Sequence, residues 1–256
     1  MSEAAGEGRH ALVTGGGRGI GAAISQTLSA AGYRVTALGR TGAPLEELVR
    51  SGGAQAAVTA DVTDEAALLA ALAEAAERMG PVALLVNNAG AAHSAPFART
   101  TADDFRRMME LNLIAPATAA RAVLPAMIAG GFGRIVNIAS TASLKGYAYV
   151  SAYAAAKHAL LGLTRSLALE TAKTGVTVNA VCPGFTDTDL IGDSVARIAA
   201  KSGRSPEEAL AEFTRANPQG RLIAPQEVAE AVLYLCGPGA ASVTGTALVV
   251  AGGEVG

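Results

Sequence analysis

The segment that most constrains the fold is a glycine cluster between a short apolar run and an amphipathic stretch. The apolar run covers residues 10–14, and Gly-Gly-Gly-Arg-Gly-Ile-Gly follows at residues 15–21. Beyond the cluster, apolar residues recur at helical spacing as far as Ala31. Glycines between a strand and a helix permit a tight turn and a close approach to pyrophosphate, and a helix N-terminus attracts phosphate. The segment therefore predicts a nucleotide-binding strand–turn–helix unit.

The rest of the chain alternates between strand-like and helix-like segments. Several of the predicted strands are continuous apolar runs, which is typical of strands covered on both faces. Crossovers between parallel strands in one sheet are right-handed almost without exception. We therefore expect an α/β fold with a single Rossmann-like, doubly wound parallel sheet of about seven strands and helices on both faces. The predicted strands are residues 10–14, 33–39, 54–60, 82–86, 133–140, 176–181 and 246–250.

No repeat or low-complexity linker divides the 256 residues, so one domain is predicted. Residues 1–9 are acidic and glycine-rich, without the apolar region of a signal peptide, and we expect a flexible tail. Residues 10–256 would form the domain. Within it, residues 186–217 follow the carboxyl end of a strand, where ligands bind in open α/β sheets. This excursion is predicted to form a substrate lid.

Composition argues against several classes of partner. The net charge is −2 and no basic run is present, which argues against nucleic-acid binding. The apolar runs are interrupted well short of about 18 residues, which argues against a membrane span. Cys182 and Cys236 lie far apart in apolar stretches, so buried free thiols are expected rather than a disulfide or a metal site. The three histidines form no cluster. A cytoplasmic protein without a metal is predicted, and its low charge content of 16% indicates surface buried between subunits.

The end of the second predicted strand bears on the choice of cofactor. An acidic residue here would bond the ribose 2′-hydroxyl of NAD, but the sequence has Gly39-Arg40-Thr41. Arg40, with Arg18 from the glycine cluster, could bind a 2′-phosphate, because a guanidinium matches phosphate geometry. NADP(H) is therefore preferred and NAD(H) is not excluded. The alternative is that both arginines are merely solvated.

Asp61, after the third strand, is either an acceptor for an adenine amino group or a turn residue.

Tyr153 and Lys157 are four residues apart in a predicted helix and therefore share one face. An ammonium close to a phenol favours the phenolate and lowers the pKa of the tyrosine, which suits proton transfer near neutral pH. Ser140, at the end of the preceding strand, could hold a carbonyl oxygen beside the phenol. The three residues together suit interconversion of a ketone and an alcohol. Taken alone, the Tyr–Lys pair is equally well explained as a surface helix contact.

Asn112 is a second unusual residue, because it lies in mid-helix among apolar neighbours and close to Pro116. Its side-chain carbonyl either holds a water molecule or caps a kink in the helix.

These motifs, in this order and spacing, resemble those of classical short-chain dehydrogenases/reductases over residues 10–253. The matching pieces are Thr14-Gly-x-x-x-Gly-x-Gly21, Asp61-Val62, Asn87-Asn-Ala-Gly90, Asn112, Ser140, Tyr153-x-x-x-Lys157 and Pro183-Gly184.

The resemblance implies a role for each catalytic candidate. Tyr153 would be the general acid/base, and Lys157 would lower its pKa and bond the nicotinamide ribose. Ser140 would polarise and orient the carbonyl, and Asn112 would hold a water that links Lys157 to solvent. A homotetramer is also implied. The implied cofactor contacts are Gly15, Arg18, Gly19, Ile20, Gly21, Asp61, Val62, Asn88, Ala89, Gly90, Tyr153, Lys157, Pro183, Gly184, Thr186 and Thr188.

Other stretches narrow the expected substrate. Residues 133–141, 153–158, 178–185 and 237–244 resemble reductases of 3-oxoacyl thioesters and aromatic polyketides, whereas residues 186–190 and 252–254 resemble 3-hydroxyacyl-CoA dehydrogenases. The leading prediction is an NADP(H)-dependent oxidoreductase that interconverts a ketone and a secondary alcohol, with a 3-oxoacyl thioester or polyketide-like substrate. The alternatives are an NAD(H)-dependent dehydrogenase of a cyclic, sugar or steroid alcohol, and a dinucleotide-binding sensor without catalysis.

Overall fold

The structure, a computed structural model, describes Gly6 and residues 8–255, without the side chains of residues 190 and 201. Residues 1–5 and 7, which hold most of the expected flexible tail, lie outside the described residues. The backbone N–H groups of Gly6 and Gly8 donate to the carbonyls of Ala31 and Gly32.

The described residues form one parallel sheet of seven strands in the order β3-β2-β1-β4-β5-β6-β7. This confirms the predicted doubly wound sheet. The order reverses between β1 and β4, so a crevice opens at the carboxyl ends of these strands, which is where ligands bind in such folds. The strands are β1 (His10–Thr14), β2 (Arg34–Gly39), β3 (Ala56–Thr59), β4 (Val82–Asn87), β5 (Gly133–Ile138), β6 (Val176–Pro183) and β7 (Ala247–Val250).

Helices cover both faces of the sheet. They are α1 (Gly19–Ala30), α2 (Gly42–Arg50), α3 (Glu65–Met79), α4 (Ala102–Met109), α5 (Ala115–Ala129), α6 (Ser151–Thr171), α7 (Asp189–Ser202), α8 (Pro206–Thr214) and α9 (Pro225–Cys236). Alternate residues of each strand point to opposite faces. Ala11 and Val13 pack in a core with α1, α2 and α9, whereas Leu12 packs in a core with α3 and α5.

The structure differs from the sequence-based boundaries in a few places. Tyr33 precedes β2 rather than beginning it, and α6 ends at Thr171, three residues earlier than expected. Helix α2 was not predicted, because its Gly-Ala-Pro start is typical of a loop and only Leu45 and Leu48 are buried. The polar first part of the expected lid is the helix α7.

The helical stretch that contains α4 and α5 has the length and apolar composition of a membrane-crossing helix. Ala102–Ala129 is one helical stretch that is long and apolar enough to cross a membrane, contrary to the expectation from the apolar runs. Core helices of soluble proteins pass the same test of length and composition, and 44% of the apolar window is buried within this protein. Ala119 and Val123 of this stretch pack in the core beside β4 and β5.

Both cysteines and His10 are buried within the fold. Cys182 and Cys236 are free and buried, as predicted. The ring of His10 hydrogen-bonds the Gly80 carbonyl at 2.7 Å and the Thr36 hydroxyl at 2.9 Å, and burial lowers its pKa. Within residues 6 and 8–255, no group of three or more His, Cys, Asp or Glu side chains could hold a metal ion.

Candidate active site

The glycine cluster forms a tight turn between β1 and α1. Gly15 has a φ of 64°, in the left-handed region that favours glycine. A Cβ atom at Gly21 would lie 2.1 Å from the carbonyl oxygen of Gly15, so a larger residue would displace the backbone. Arg18 precedes α1 and its side chain does not cap the helix. The first N–H groups of α1 are therefore free to meet an anionic ligand.

Asn88 joins the end of β4 to this turn. Its side-chain amide donates to the carbonyls of Thr14 at 2.9 Å and Gly15 at 3.1 Å. In return, the Thr14 hydroxyl accepts from the backbone N–H groups of Asn88 and Ala89, both at 3.0 Å. The sequence placed Asn88 along the adenosine and ribose. The structure shows that its side chain holds two strand ends together, a contact that spacing along the chain does not reveal.

Arg40 and Asp61 face each other at the ends of β2 and β3. The Arg40 side chain is 70% exposed, and its Nη1 lies 3.9 Å from Oδ2 of Asp61. Asp61 Oδ1 accepts from the backbone N–H and the hydroxyl of Thr63, and these bonds lower its pKa. Oδ1 of Asp61 thus holds a turn and its second oxygen faces the cation, whereas a bond from Asp61 to an adenine amino group stays a prediction. Val62 beside it is buried.

Tyr153, Ser140 and Lys157 meet where β5 ends and α6 begins. Ser140 follows β5, its hydroxyl accepts from the N–H of Ala142 at 3.1 Å, and it lies close enough to the Tyr153 phenol to influence the pKa of that group. Lys157 lies one turn beyond Tyr153, with Nζ 5.8 Å from the centre of the tyrosine ring. Its ammonium donates to the Ile138 carbonyl at 2.8 Å. The three predicted side chains are therefore brought together.

The predicted direction of the tyrosine pKa is wrong for this arrangement. Burial raises the pKa of the Tyr153 phenol, although its hydrogen bond with Ser140 acts in the opposite direction. Burial also lowers the pKa of Lys157 to about 8. The physical reason is that both groups are removed from water, which disfavours the charged form of each. At neutral pH the phenol is therefore protonated.

Asn112 lies in a π-helical turn, Glu110–Ile114, between α4 and α5. Such turns are frequent at functional sites. Its amide donates to the carbonyls of Met108 at 3.0 Å and Ala91 at 3.2 Å, whereas its buried Oδ1 has no hydrogen-bond partner within the described protein. A Cβ atom at Gly90 would lie 3.0 Å from this Oδ1 and 3.6 Å from Lys157 Nζ. The free carbonyl of Asn112 is thus close to the lysine, as the water-holding interpretation requires.

The end of β6 brings the remaining cofactor candidates to the same edge. Gly184, directly after Pro183, donates its N–H to the Val250 carbonyl. The Thr186 hydroxyl donates to the Gly184 carbonyl at 3.0 Å, and the Thr188 hydroxyl donates to the Thr186 carbonyl at 3.3 Å. A Cβ atom at Gly19 would lie 3.2 Å from the Thr188 methyl group. The start of the expected lid therefore contacts the glycine turn.

The contacts of Glu254 were not predicted from the sequence. The carboxylate of Glu254, in the C-terminal segment, pairs with Lys145 Nζ at 3.3 Å and accepts from the Tyr147 hydroxyl. No local sequence pattern predicts this contact, because Tyr147 and Glu254 are 107 residues apart in the chain. The only sequence signal is an acidic residue after two glycines.

The match to known proteins agrees with this geometry. The family model described as short chain dehydrogenase matches residues 9–198. The chain belongs to this family. It is 42% identical to a Streptomyces coelicolor protein assigned as a ketoacyl reductase, over 95% of both chains. It is 37% identical to an acetoacetyl-CoA reductase of Shinella zoogloeoides, over 96% of this chain and 98% of the relative. A crystal structure of an actinorhodin polyketide ketoreductase variant with NADPH superposes with a TM-score of 0.91, at 41% identity over 97% of both chains.

The short-chain dehydrogenase family member described here is therefore an oxidoreductase with an NAD(P)-binding fold. Its residues fit such a cofactor. The turn at Gly15 and Gly21 allows close backbone approach, and the start of α1 presents uncapped N–H groups to phosphate. The buried carbonyl of Asn112 leaves one polar position beside Lys157 open for a further bond.

Proposed function

We propose that this protein is an NADP(H)-dependent ketoreductase in which Tyr153, Ser140, Lys157 and Asn112 carry the proton chemistry. The observation that supports this most directly is that the Tyr153 phenol lies close enough to the Ser140 hydroxyl to have its pKa lowered by it, with the Lys157 ammonium 5.8 Å from the centre of the tyrosine ring. The two hydroxyl groups are therefore neighbours at the point where β5 ends and α6 begins. A carbonyl oxygen at that point would receive two hydrogen bonds, which polarise it toward attack at carbon.

The raised pKa of Tyr153 suits the reducing direction. A nicotinamide dinucleotide, held by the glycine turn and Lys157, would supply the hydride for the carbonyl carbon. As negative charge develops on the carbonyl oxygen, the Ser140 hydroxyl stabilises it, and Tyr153, protonated at neutral pH, donates its proton to that oxygen. Lys157 lies close enough to replace this proton through solvent held at the Asn112 carbonyl. In the oxidising direction the same groups act in reverse.

The first prediction concerns Tyr153→Phe. Removal of the phenol should lower kcat for carbonyl-dependent NADPH oxidation by about 100-fold or more, because positioned acid catalysis contributes roughly that much. Binding of NADPH, followed by its fluorescence, should stay within about twofold, since the mutation removes only a hydroxyl that donates in the transition state. The matched control is Tyr149→Phe, at an exposed tyrosine four residues earlier, and it should retain activity.

Two outcomes would contradict the mechanism. Substantial activity in the Tyr153→Phe variant would show that another group donates the proton. Absence of carbonyl-dependent NADPH oxidation in the wild-type protein, together with normal NADPH binding, would favour the sensor without catalysis.

The NADP(H) preference rests on Arg40 and Arg18, which are exposed at the ends of β2 and the glycine turn. Arg40, which directly follows β2, is a cation, and its guanidinium suits the doubly charged 2′-phosphate.

The second prediction is that Arg40→Asp shifts the ratio of kcat/KM for NADPH to that for NADH by about tenfold or more toward NADH. An unchanged ratio would remove Arg40 from this role, and a wild-type protein faster with NADH would support the NAD-dependent alternative.

A 3-oxoacyl thioester or polyketide-like ketone is the proposed substrate class. The relatives that support it include an acetoacetyl-CoA reductase and the actinorhodin polyketide ketoreductase. Initial rates with 3-oxoacyl-CoA esters of increasing length, compared with cyclic, sugar and steroid ketones, would test this class against its alternatives.

Self-association is also proposed, as a tetramer in the cytoplasm. An open groove of about 730 Å³ runs between α5 and α6 and is lined by Leu124, Ile128, Leu163 and Leu167. Leu169 nearby on α6 is 82% exposed. Apolar surface of this kind is typical of an interface between copies. The mass of the protein in solution, measured by light scattering, tests the proposal.

A further inference from the structure

The side chain of Glu254 is 1% exposed, and carboxylates are rarely buried so completely. A buried charge requires compensation. Here Lys145 supplies it twice, because Nζ lies 3.3 Å from Oε1 and also donates to the Glu254 backbone carbonyl at 3.2 Å. The second carboxylate oxygen is buried, has no partner within the described protein, and would lie 2.9 Å from a Cβ atom at Gly184.

Glu254 also fixes the orientation of Tyr147. The Tyr147 hydroxyl donates to Oε1 of Glu254 and lies 2.6 Å from the Thr141 hydroxyl. Burial, followed by the hydrogen bond to Glu254 and the charge of Glu254, raises the pKa of Tyr147. The Lys145 ammonium stands 4.9 Å above the tyrosine ring. The ring therefore has a defined position on the loop that leads into α6, six residues before Tyr153.

An aromatic row extends from Tyr147 to the expected lid. Tyr147 packs edge-to-face on Phe185 with ring centres 6.1 Å apart, and Phe185 packs in the same way on Phe213 of α8 at 5.1 Å. Edge-to-face packing is the preferred geometry of aromatic pairs. The row joins the loop before α6, the segment after β6 and the lid, three parts of the chain that surround the carboxyl end of β6.

The C-terminal segment also contacts the end of the lid. A Cβ atom at Gly252 would lie 2.0 Å from Oδ1 of Asn217, and one at Gly253 would lie 3.4 Å from Pro218. Gly252 and Gly253 both have positive φ, so the chain turns sharply here. This turn directs the side chain of Glu254 toward Gly184 and Tyr147, close to the end of the lid.

We propose that Glu254 is a positioning residue for the substrate compartment, and that it holds Tyr147 as one end of a Tyr147–Phe185–Phe213 wall that selects ring-containing ketones over short linear ones. The kinetic part of its test rests on the proposed function, because it requires that the protein reduces ketones. Three aromatic rings packed edge-to-face hold one another rigidly and present ring faces and edges, against which a rigid ring system packs with less loss of conformational freedom than a flexible four-carbon chain.

The experiment compares Glu254→Ala, Glu254→Gln and Tyr147→Phe with the wild type, using 1-tetralone as the ring ketone and acetoacetyl-CoA as the linear one. Glu254→Ala and Tyr147→Phe should raise KM for 1-tetralone by about tenfold, with kcat within about twofold, because they loosen binding without touching the proton donor. KM for acetoacetyl-CoA should change by less than about threefold. Glu254→Gln should recover most of the loss, since its amide oxygen still accepts from Tyr147.

A binding measurement separates this inference from the proposed reaction. Calorimetric titration of 1-tetralone into the protein with NADP⁺, a pair that cannot react, should show about tenfold weaker binding in Glu254→Ala than in the wild type. This difference would support the compartment even if no ketone were reduced. Equal losses for both substrates, or lower thermal stability without a change in the 1-tetralone affinity, would show that Glu254 only stabilises the fold and would overturn the proposal. Tyr153→Phe, in contrast, should stop reduction, and Glu254→Ala should still weaken 1-tetralone binding about tenfold in that background.

Discussion

The two ends of the crevice are built in different ways. The cofactor end, between β1 and β4, consists of glycines, backbone groups and short polar side chains, such as the contacts of Asn88 with Thr14 and Gly15. The end around Tyr147 and Phe185, called the substrate end because we propose that the substrate binds there, consists of long side chains from distant segments, with the Glu254–Lys145 pair and the Phe185–Phe213 contact as examples. Backbone geometry dominates one end and side-chain packing the other.

This difference follows from what each end meets. The phosphates and the nicotinamide of a dinucleotide have constant chemistry, so a cradle of N–H groups and glycines serves all members of such a family. The body of the substrate varies, and the function of a fold is set by sites placed on it. Side chains can be exchanged without disturbing strands, so variable recognition is placed where side chains form the wall.

Replacement of Gly21 by alanine should show the largest effect and tests whether the cofactor end depends on backbone space. The new Cβ atom would lie 2.1 Å from the Gly15 carbonyl oxygen, and backbone cannot move aside as a flexible side chain can. We expect dinucleotide affinity to fall by more than about tenfold and unfolding to cost about 1–3 kcal/mol less than in the wild type. Fluorescence titration with NADPH and urea denaturation measure the two effects.

The matched control lies at the substrate end. Gly192 is in α7, and a Cβ atom there meets nothing within 4 Å. Gly192→Ala should leave NADPH affinity unchanged and stabilise the protein slightly, by up to about 1 kcal/mol, because alanine is the better helix former. Similar NADPH affinity in both alanine variants would mean that close backbone packing does not define the cofactor end.

The contrast also explains what could be predicted from the sequence. The strands of the sheet and the residues Gly15, Ser140, Tyr153 and Lys157 were predictable, because apolar runs, glycines and a four-residue helical spacing are local signals. The structure brings these residues to one edge of the sheet, as expected. Their catalytic roles stay predictions until they are tested.

What could not be predicted depends on distance along the chain or on burial. The pairing of Tyr147 with Glu254 joins segments 107 residues apart, and no spacing rule connects them. The direction of the Tyr153 pKa was also missed, because the sequence shows a neighbouring ammonium but not the loss of water around the phenol. The bonds from the side chain of Asn88 to the backbone of the glycine turn were not predicted either, and the place of Asn88 along the cofactor stays a prediction.

Lys157 is buried beside Tyr153, and this burial should make the folding stability depend on pH. Its pKa falls from an ordinary value of 10.5 to about 8 in the folded protein, so the unfolded chain binds the extra proton between these values. Folding stability should therefore rise with pH from about 8 to 10.5, by roughly 3 kcal/mol in all, since one pKa unit corresponds to about 1.4 kcal/mol. Below about pH 8 this gain is absent.

The measurement compares urea denaturation of the wild type and Lys157→Met at pH 7, 8, 9 and 10. The difference in unfolding free energy should move in favour of the wild type as the pH rises, because methionine has no proton to release. A pH-independent difference would show that the ammonium is not desolvated in the folded protein.

The smallest expected effect concerns the cap of α8 in the lid. Ser205 caps this helix, with its hydroxyl accepting from the Glu208 N–H while the Glu208 carboxylate accepts from the Ser205 N–H. Ser205→Ala should destabilise α8 by about 1 kcal/mol, which raises KM for the ketone a few-fold through Phe213 and leaves NADPH affinity unchanged. Thr101→Ala removes the equivalent cap of α4 and is the matched control. If Ser205→Ala weakened NADPH binding as much as ketone binding, the two ends of the crevice would be coupled, and the division into a backbone cradle and a side-chain wall would not describe how this protein binds its ligands.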